Sequence, residues 1–305
     1  MDIRQSEEYT RALSRMGWKV RECEMQNGKM MRVLVRKIPL LGVSVAKAQR
    51  FSSLPVWEEW RKILKEEKVI YSALEPGLDC STWKEALRAT VPGGTMTVHL
   101  GGDLRSPSEE NLTEVMKKNG YYVDKNVFIP SRTRIIDLTK SDDELLGEMD
   151  QGTRRWLRKE TEVQTEEVSA NELESWWKEW SRWKKGYFPG LRELQIYKEE
   201  FGKKAVWMGA RLNDKWVGGI VMYTTRDTAV YYLAWSSKEG KRNGAQYKLT
   251  WSSMKRAKKM GCSTWDFEGI NDPRWPRKSW QGFSEFKRRW GGAEVEMPGC
   301  WSRWF

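Results

Sequence analysis

Residues 205–236, AVWMGARLNDKWVGGIVMYTTRDTAVYYLAWS, read as three successive strands: AVWMGARL (205–212), KWVGGIVMYT (215–224) and TAVYYLAWS (228–236). Working outward, the periodicity predicts helices near 170–186 and 191–201 ahead of the strands and a helix over 244–260 after them. A strand STWDF (263–267), a helix WQGFSEFKRRW (280–290) and a last strand AEVEM (293–297) complete this half. The N-terminal half shows the same order. A helix over 5–16 precedes the strands WKVRECEM (18–25), KMMRVLVRKI (29–38) and GVSVAKA (42–48), which are separated by turn residues such as Asn27-Gly28 and Leu41-Gly42. Next, VWEEWRKILKEE places Trp57, Trp60, Ile63 and Leu64 on one helix face, and helices over 81–90 and 107–119 flank a strand TMTVHL (95–100).

Two α/β units with one element order imply a duplicated fold. Between them, TRIIDLTKSDDELLGEM (133–149) passes from a strand to a helix capped by Ser141 or Thr139, with acidic residues in its first turn. This places the boundary near residue 140, giving domains 1–140 and 141–293.

Composition narrows the chemistry. The 305 residues are 39% hydrophobic and 31% charged, as in a folded chain. With 54 Lys and Arg against 42 Asp and Glu, the formal charge is +12, which favours polyanionic partners. Cys23, Cys80, Cys262 and Cys300 lie far apart with no CxxC pair, so the default reading is buried thiols. His99 is the only histidine, which removes His-based metal sites and disfavours a Ser-His or Cys-His hydrolase. No GxxxxGK[ST] is present, nor a GxGxxG after a strand. The N-terminus has no apolar signal segment and no run approaches the ~18 apolar residues of a spanning helix, so the expected location is cytoplasmic.

The element order of each unit is that of the GNAT acyltransferases. Beyond that, TRIIDLTKSDDELLGEM followed by the basic RRWLRKETEV (154–163) resembles the Fem peptidyltransferase pattern. So do AQYKLTWSSMKRAKKMG (245–261) running into STWDFEGI (263–270), and GFSEFKRRWGG (282–292) ending in VEMPG (295–299). Weaker echoes at QSEEYTRAL (5–13) and VAKAQRFSS (45–53) extend the likeness to the first unit. The resemblance implies two GNAT-like domains, α/β (α+β) in class, around a shared cleft, with 294–305 open to completing the first. It also implies an armless member, because 186–201 leave no room for the helical arm of some relatives.

The activity it implies is transfer of an amino acid from aminoacyl-tRNA to the stem-peptide amine of a peptidoglycan precursor, UDP-MurNAc-pentapeptide or lipid II. No cofactor is needed. The family's Phe-Lys pair beside the reacting ester maps onto Phe286 and Lys287, the Lys suited to stabilise an oxyanion; a solvated helix face is the plain alternative. Its phosphate-binding cations map onto Arg11 and Arg192, and its groove aromatics onto Tyr232 and Tyr247, for which a core role is equally open. Where relatives carry an acidic segment, this chain reads VHLGGDLRSP (98–107), in which Asp103 takes that place or the role is absent. Asp266 is expected mainly to hold a turn.

Arg154, Arg155, Arg158 and Lys159, with Lys255 and Lys259, are candidates for the tRNA acceptor stem. Interleaved with Trp, they fit equally the headgroup face of the inner membrane surface bearing a lipid-linked precursor. Trp176, Trp177, Trp180 and Trp183 read as a buried helix stripe before a base-stacking platform. The runner-up activity is acyl-CoA-dependent N-acylation, because GKRNGAQY (240–247) lies between strand and helix where such enzymes bind pyrophosphate, although the glycine-rich pattern is only half met.

Overall fold

The computed structural model describes residues 2–77, 95–97, 109–126, 128–183 and 188–305. Asp103, His99, Cys80 and the helix expected over 81–90 lie outside these residues. The chain divides into two compact units: Met1–Thr133 with Gly269–Trp280 and Ala293–Phe305, and Arg134–Glu268 with Gln281–Gly292.

In the first unit, α1 (Glu7–Arg15) starts at Ser6, whose hydroxyl accepts from the Tyr9 N–H. It is followed by β1 (Lys19–Glu24), β2 (Met30–Lys37), β3 (Ser44–Gln49), α2 (Trp57–Glu66), β4 (Val69–Glu75), β5 (Thr95–Thr97), α3 (Glu109–Lys118) and β6 (Tyr122–Asp124). β1, β2 and β3 form an antiparallel meander and β4 joins β3 in parallel through α2. The face of α2 read from the sequence is the one buried: Trp60, Ile63 and Leu64 enter a core with Met31, Val33, Ala46, Ala48 and Leu74, and Trp57 packs against it. The last strand of the chain, β14 (Cys300–Trp304), enters this sheet antiparallel to both β4 and β6.

The second unit opens with β7 (Arg132–Asp137), which straddles the division. It continues through α4 (Asp142–Glu148), α5 (Gln151–Arg158), β8 (Gln164–Glu167), α6 (Leu173–Trp183), α7 (Leu191–Phe201), β9 (Ala205–Leu212), β10 (Lys215–Thr225), β11 (Thr228–Ser236), α8 (Lys238–Arg242), α9 (Ala245–Lys259), β12 (Thr264–Asp266) and α10 (Gln281–Arg288). β13 (Ala293–Glu296), back in the first unit, pairs in parallel with β5. Ser141 is the cap of α4, in a full capping box with Glu144, while the Thr139 hydroxyl bonds Asp137.

The sheet of the second unit runs β7, β12, β11, β10, β9, β8. One face packs on α9 through Met208, Ile220, Met222, Leu249, Met254 and Ala257. On α6, Trp176 and Trp180 are buried as the stripe predicts, Trp176 against Trp207 and Trp235, whereas Trp183 is exposed.

Candidate active site

β11 and β12 are parallel neighbours only from Thr228–Thr264 to Val230–Asp266. Past that point they part. β11 continues to Ser236 beside β10 with Tyr232 unopposed, since Val221 pairs Leu233 and Met222 pairs Tyr231. β12 turns away: the Phe267 N–H goes to the Arg134 carbonyl, Asp266 Oδ1 accepts from the Glu268 N–H at 2.8 Å, and Glu268 sits at φ +71°. Asp266 thus closes the local turn. In the first unit the corresponding parallel pair, β3 and β4, stays zipped from Ser44–Val69 to Gln49–Glu75.

Lys287 occupies the point of divergence. Its side chain is buried, and Nζ donates to the Phe267 carbonyl at 2.7 Å. The ammonium lies 5.4 Å from the Tyr231 ring centroid and 4.9 Å from that of Phe283. Burial lowers its pKa from 10.5 to about 8, against the opposing pull of Glu268 and Asp266. A cation kept in an aromatic, largely water-free setting beside an open strand edge is suited to stabilise a developing negative charge.

The helix that carries Lys287 is fixed at its C-terminus. Gly291 and Gly292 adopt φ +78° and +71°, and a Cβ on Gly292 would stand 2.1 Å from the Ile135 carbonyl oxygen. The buried Arg134 guanidinium donates to the Gly291 carbonyl and, at 3.1 Å, to that of Gly292. The terminal Gly-Gly of GFSEFKRRWGG is therefore required by backbone conformation and close approach to β7.

Phe286 is half-buried, edge-on to Tyr247 at 5.1 Å and to Trp290 at 6.0 Å. Tyr247 also stacks on Trp156 at 5.7 Å and 12°. Tyr232 contacts Tyr223 and Tyr197 across the sheet from Tyr231, whose hydroxyl accepts from Gln246 Nε2 at 2.7 Å. The structure thus gathers Lys287, Phe286 and Tyr247 around one aromatic cluster and sets Tyr232 in another. Arg11 is exposed on α1, 3.5 Å from Glu7, and Arg192 is exposed at the start of α7, 3.9 Å from Glu199.

Sequence reasoning did not find Tyr231, Phe283 and Trp156. Tyr231 sits inside a strand that is apolar on both faces, so alternation gives no signal. Trp156 packs onto Gly244, where a Cβ would stand 2.4 Å from its ring, at the N-terminal turn of α9.

The cation set divides. Arg155, Arg158 and Lys159 are exposed on or just after α5, and Lys255 and Lys259 on α9. Among the described residues no carboxylate pairs with any of these five. Arg154 instead folds back onto the end of α4, donating to the Met149, Leu146 and Gly147 carbonyls. The described cysteines are buried, with the thiol of Cys23 pushed up to about 12 and that of Cys262 to about 11, both by burial first.

Residues 149–288 match the family model described as Acetyltransferase (GNAT) domain. A crystal structure of FemX superimposes with a TM-score of 0.73 at 15% identity, over 100% of this chain and 92% of that one. The chain has the FemX fold. Beside FemX, a tandem GNAT protein from the clavulanic acid biosynthesis pathway matches at TM-score 0.54 and 11% identity, covering 94% of this chain and 83% of that one. The C-terminal domain of a putative lysylphosphatidylglycerol synthetase from Agrobacterium fabrum matches at 0.52 and 12%, covering 98% and 87%. No curated protein matches the sequence. The architecture shared with FemX is that of tandem GNAT-like α/β units, an acyltransferase fold.

Proposed function

We propose that this chain is an aminoacyltransferase of the Fem type, moving an amino acid from aminoacyl-tRNA to the stem-peptide amine of a peptidoglycan precursor. The observation that carries the reading is the buried Lys287 ammonium at the divergence of β11 and β12. The amine nitrogen attacks the ester carbonyl carbon, the C–N bond forms, and the carbonyl oxygen takes up negative charge that Lys287 stabilises. Collapse breaks the ester C–O bond, and the proton lost by the amine ends on the ribose oxygen of the tRNA. This route needs no enzyme nucleophile, in keeping with the described thiols being buried and held protonated.

Phe286 and Tyr247 wall the site. Arg11 and Arg192 are assigned to phosphate oxygens of the acceptor, Tyr232 to its peptide, and Asp103 to the family's acidic position. Arg155, Arg158, Lys159, Lys255 and Lys259 are assigned to acceptor-stem phosphates, while Arg154 serves the fold. The reaction site would be cytoplasmic. The acyl-CoA reading draws on the GNAT family match, but the Trp156 ring packs over Gly244, at the turn where a pyrophosphate would meet backbone amides.

The test supplies radiolabelled aminoacyl-tRNA with UDP-MurNAc-pentapeptide or lipid II, with and without ribonuclease. Ribonuclease-sensitive labelling of either acceptor supports the proposal. Labelling of an amine from acyl-CoA, with none from any tRNA, replaces it with the second reading.

A further inference from the structure

The turn between β2 and β3 exposes apolar surface that the fold does not use. Leu40 is 104% exposed and Leu41 66%. The turn is closed by Ile38 N–H to the Val43 carbonyl at 2.8 Å, with Pro39 followed by Leu40 at φ +68°. Pro then φ > 0 is the arrangement of a type II turn, where glycine is the favoured second residue. A leucine here accepts backbone strain and presents its whole side chain to the surroundings, so its role lies outside the packing of the unit.

What surrounds the tip is cationic. Arg36 and Lys37 are exposed at the end of β2, and exposed Lys68 supplies the carbonyl that receives the Ser44 N–H at the start of β3. Trp18 lies beneath, with the Arg36 guanidinium 5.5 Å and the Lys47 ammonium 4.8 Å from its ring centroid. Among the described residues no carboxylate pairs with Arg36, Lys37, Lys47 or Lys68. The nearby acids Glu66 and Glu67 are taken by Lys19 and Arg21.

We propose that the β2–β3 turn is a membrane-docking tip, with Leu40 and Leu41 entering the acyl boundary of an anionic leaflet while Arg36, Lys37 and Lys68 lie at its headgroups. The charge of the rim complements anionic lipid, and a fully exposed aliphatic pair gains from hydrocarbon what a nucleic-acid phosphate surface does not offer. Among the described residues no helix is long and apolar enough to cross a membrane, so the tip would act as a peripheral contact. It does not rest on the transfer reaction assigned above.

The experiment is co-sedimentation of the whole chain with vesicles of phosphatidylcholine plus phosphatidylglycerol, and of phosphatidylcholine alone. The wild type is expected to bind the mixed vesicles. Leu40→Gly with Leu41→Ser should bind them at least about tenfold more weakly with no loss in melting temperature, since glycine suits φ +68°. Arg36→Gln with Lys37→Gln should also weaken binding about tenfold, and only to the anionic vesicles. No binding by the wild type overturns the proposal, as does unchanged binding by the leucine variant. So does a leucine variant that alters only self-association, read by analytical ultracentrifugation, or only tRNA binding, since the tip would then serve a second copy or a nucleic acid.

Discussion

The Lys287 ammonium donates to the Phe267 carbonyl oxygen at 2.7 Å, directly after the last paired residue of β12. This bond ties the one buried cation of α10 to the carbonyl at which two parallel strands separate. It places positive charge beside an open β11 edge. Replacing Lys287 with Met keeps the length of the side chain and removes the charge. Transfer should fall by about 100-fold or more, while the variant stays folded, because the loss of a desolvated ammonium offsets the loss of the donor to the Phe267 carbonyl. Activity assays paired with differential scanning calorimetry check both halves.

The same group sets opposite pH trends for activity and stability. Its pKa is about 8 in the folded chain against an ordinary 10.5. Between these values the unfolded chain binds the additional proton, so this group makes stability rise with pH across that window. Transfer that needs the ammonium should decline above pH about 8. Denaturant titrations across the window, alongside single-turnover rates, test the pair of trends. Lys47, likewise lowered to about 8 by burial, adds to the stability trend without touching the site, so the stability arm is read as wild type minus Lys287→Met.

Gly292→Ala should be costly. Its φ of +71° and the 2.1 Å approach to the Ile135 carbonyl leave no room for a methyl group. A loss of about 2 kcal/mol or more is expected in urea unfolding. Gly282, at the exposed start of the same helix with nothing within reach of an added Cβ, provides the control.

How much of this was legible beforehand follows from where each signal lies. The three strands of 205–236, the cap of α4, narrowed to Ser141 or Thr139, and the buried face of α2 were readable because periodicity and capping are local. β4 (VIYSALE) was missed because it follows α2 without punctuation, and β14 was not read from periodicity, 294–305 being given to the first unit only by the family resemblance, because only β4 and β6 give a five-residue strand its place. Gly269–Trp280 falls in the first unit although it interrupts the second in sequence, a long-range pairing that no local pattern announces. The motif around Lys287 was legible, but its burial was not. The FKRR run reads as a solvated face, and only the turn at Glu268 and the aromatic rings of Tyr231 and Phe283 make one of its cations a buried one.

The basic helices give a salt-dependent prediction. Neutralising Arg155, Arg158 and Lys159 to Gln should weaken tRNA binding about tenfold or more and reduce the log–log salt slope by about one per contacting residue. Arg154→Gln should leave that slope unchanged and instead lower stability by about 1–2 kcal/mol, since the carbonyls of Leu146 and Gly147 in α4 and of Met149 just after it lose a donor. Filter binding across a salt series, with a melting curve for each variant, separates the two roles.

Packing of Trp156 over Gly244 predicts that coenzyme A does not stabilise the chain. Thermal shift with coenzyme A should show no change, and Trp156→Ala should be needed before any appears; a clear shift in the wild type would count against the tRNA-dependent reading.

Lys287 is the residue proposed to act in transfer from aminoacyl-tRNA. The most direct measurement is the single-turnover rate of labelled amino acid passing from tRNA to the stem-peptide acceptor, for wild type and for Lys287→Met shown by calorimetry to be folded. The account predicts ribonuclease-sensitive transfer by the wild type and a rate about 100-fold lower in the variant. Equal rates in the two proteins would contradict it.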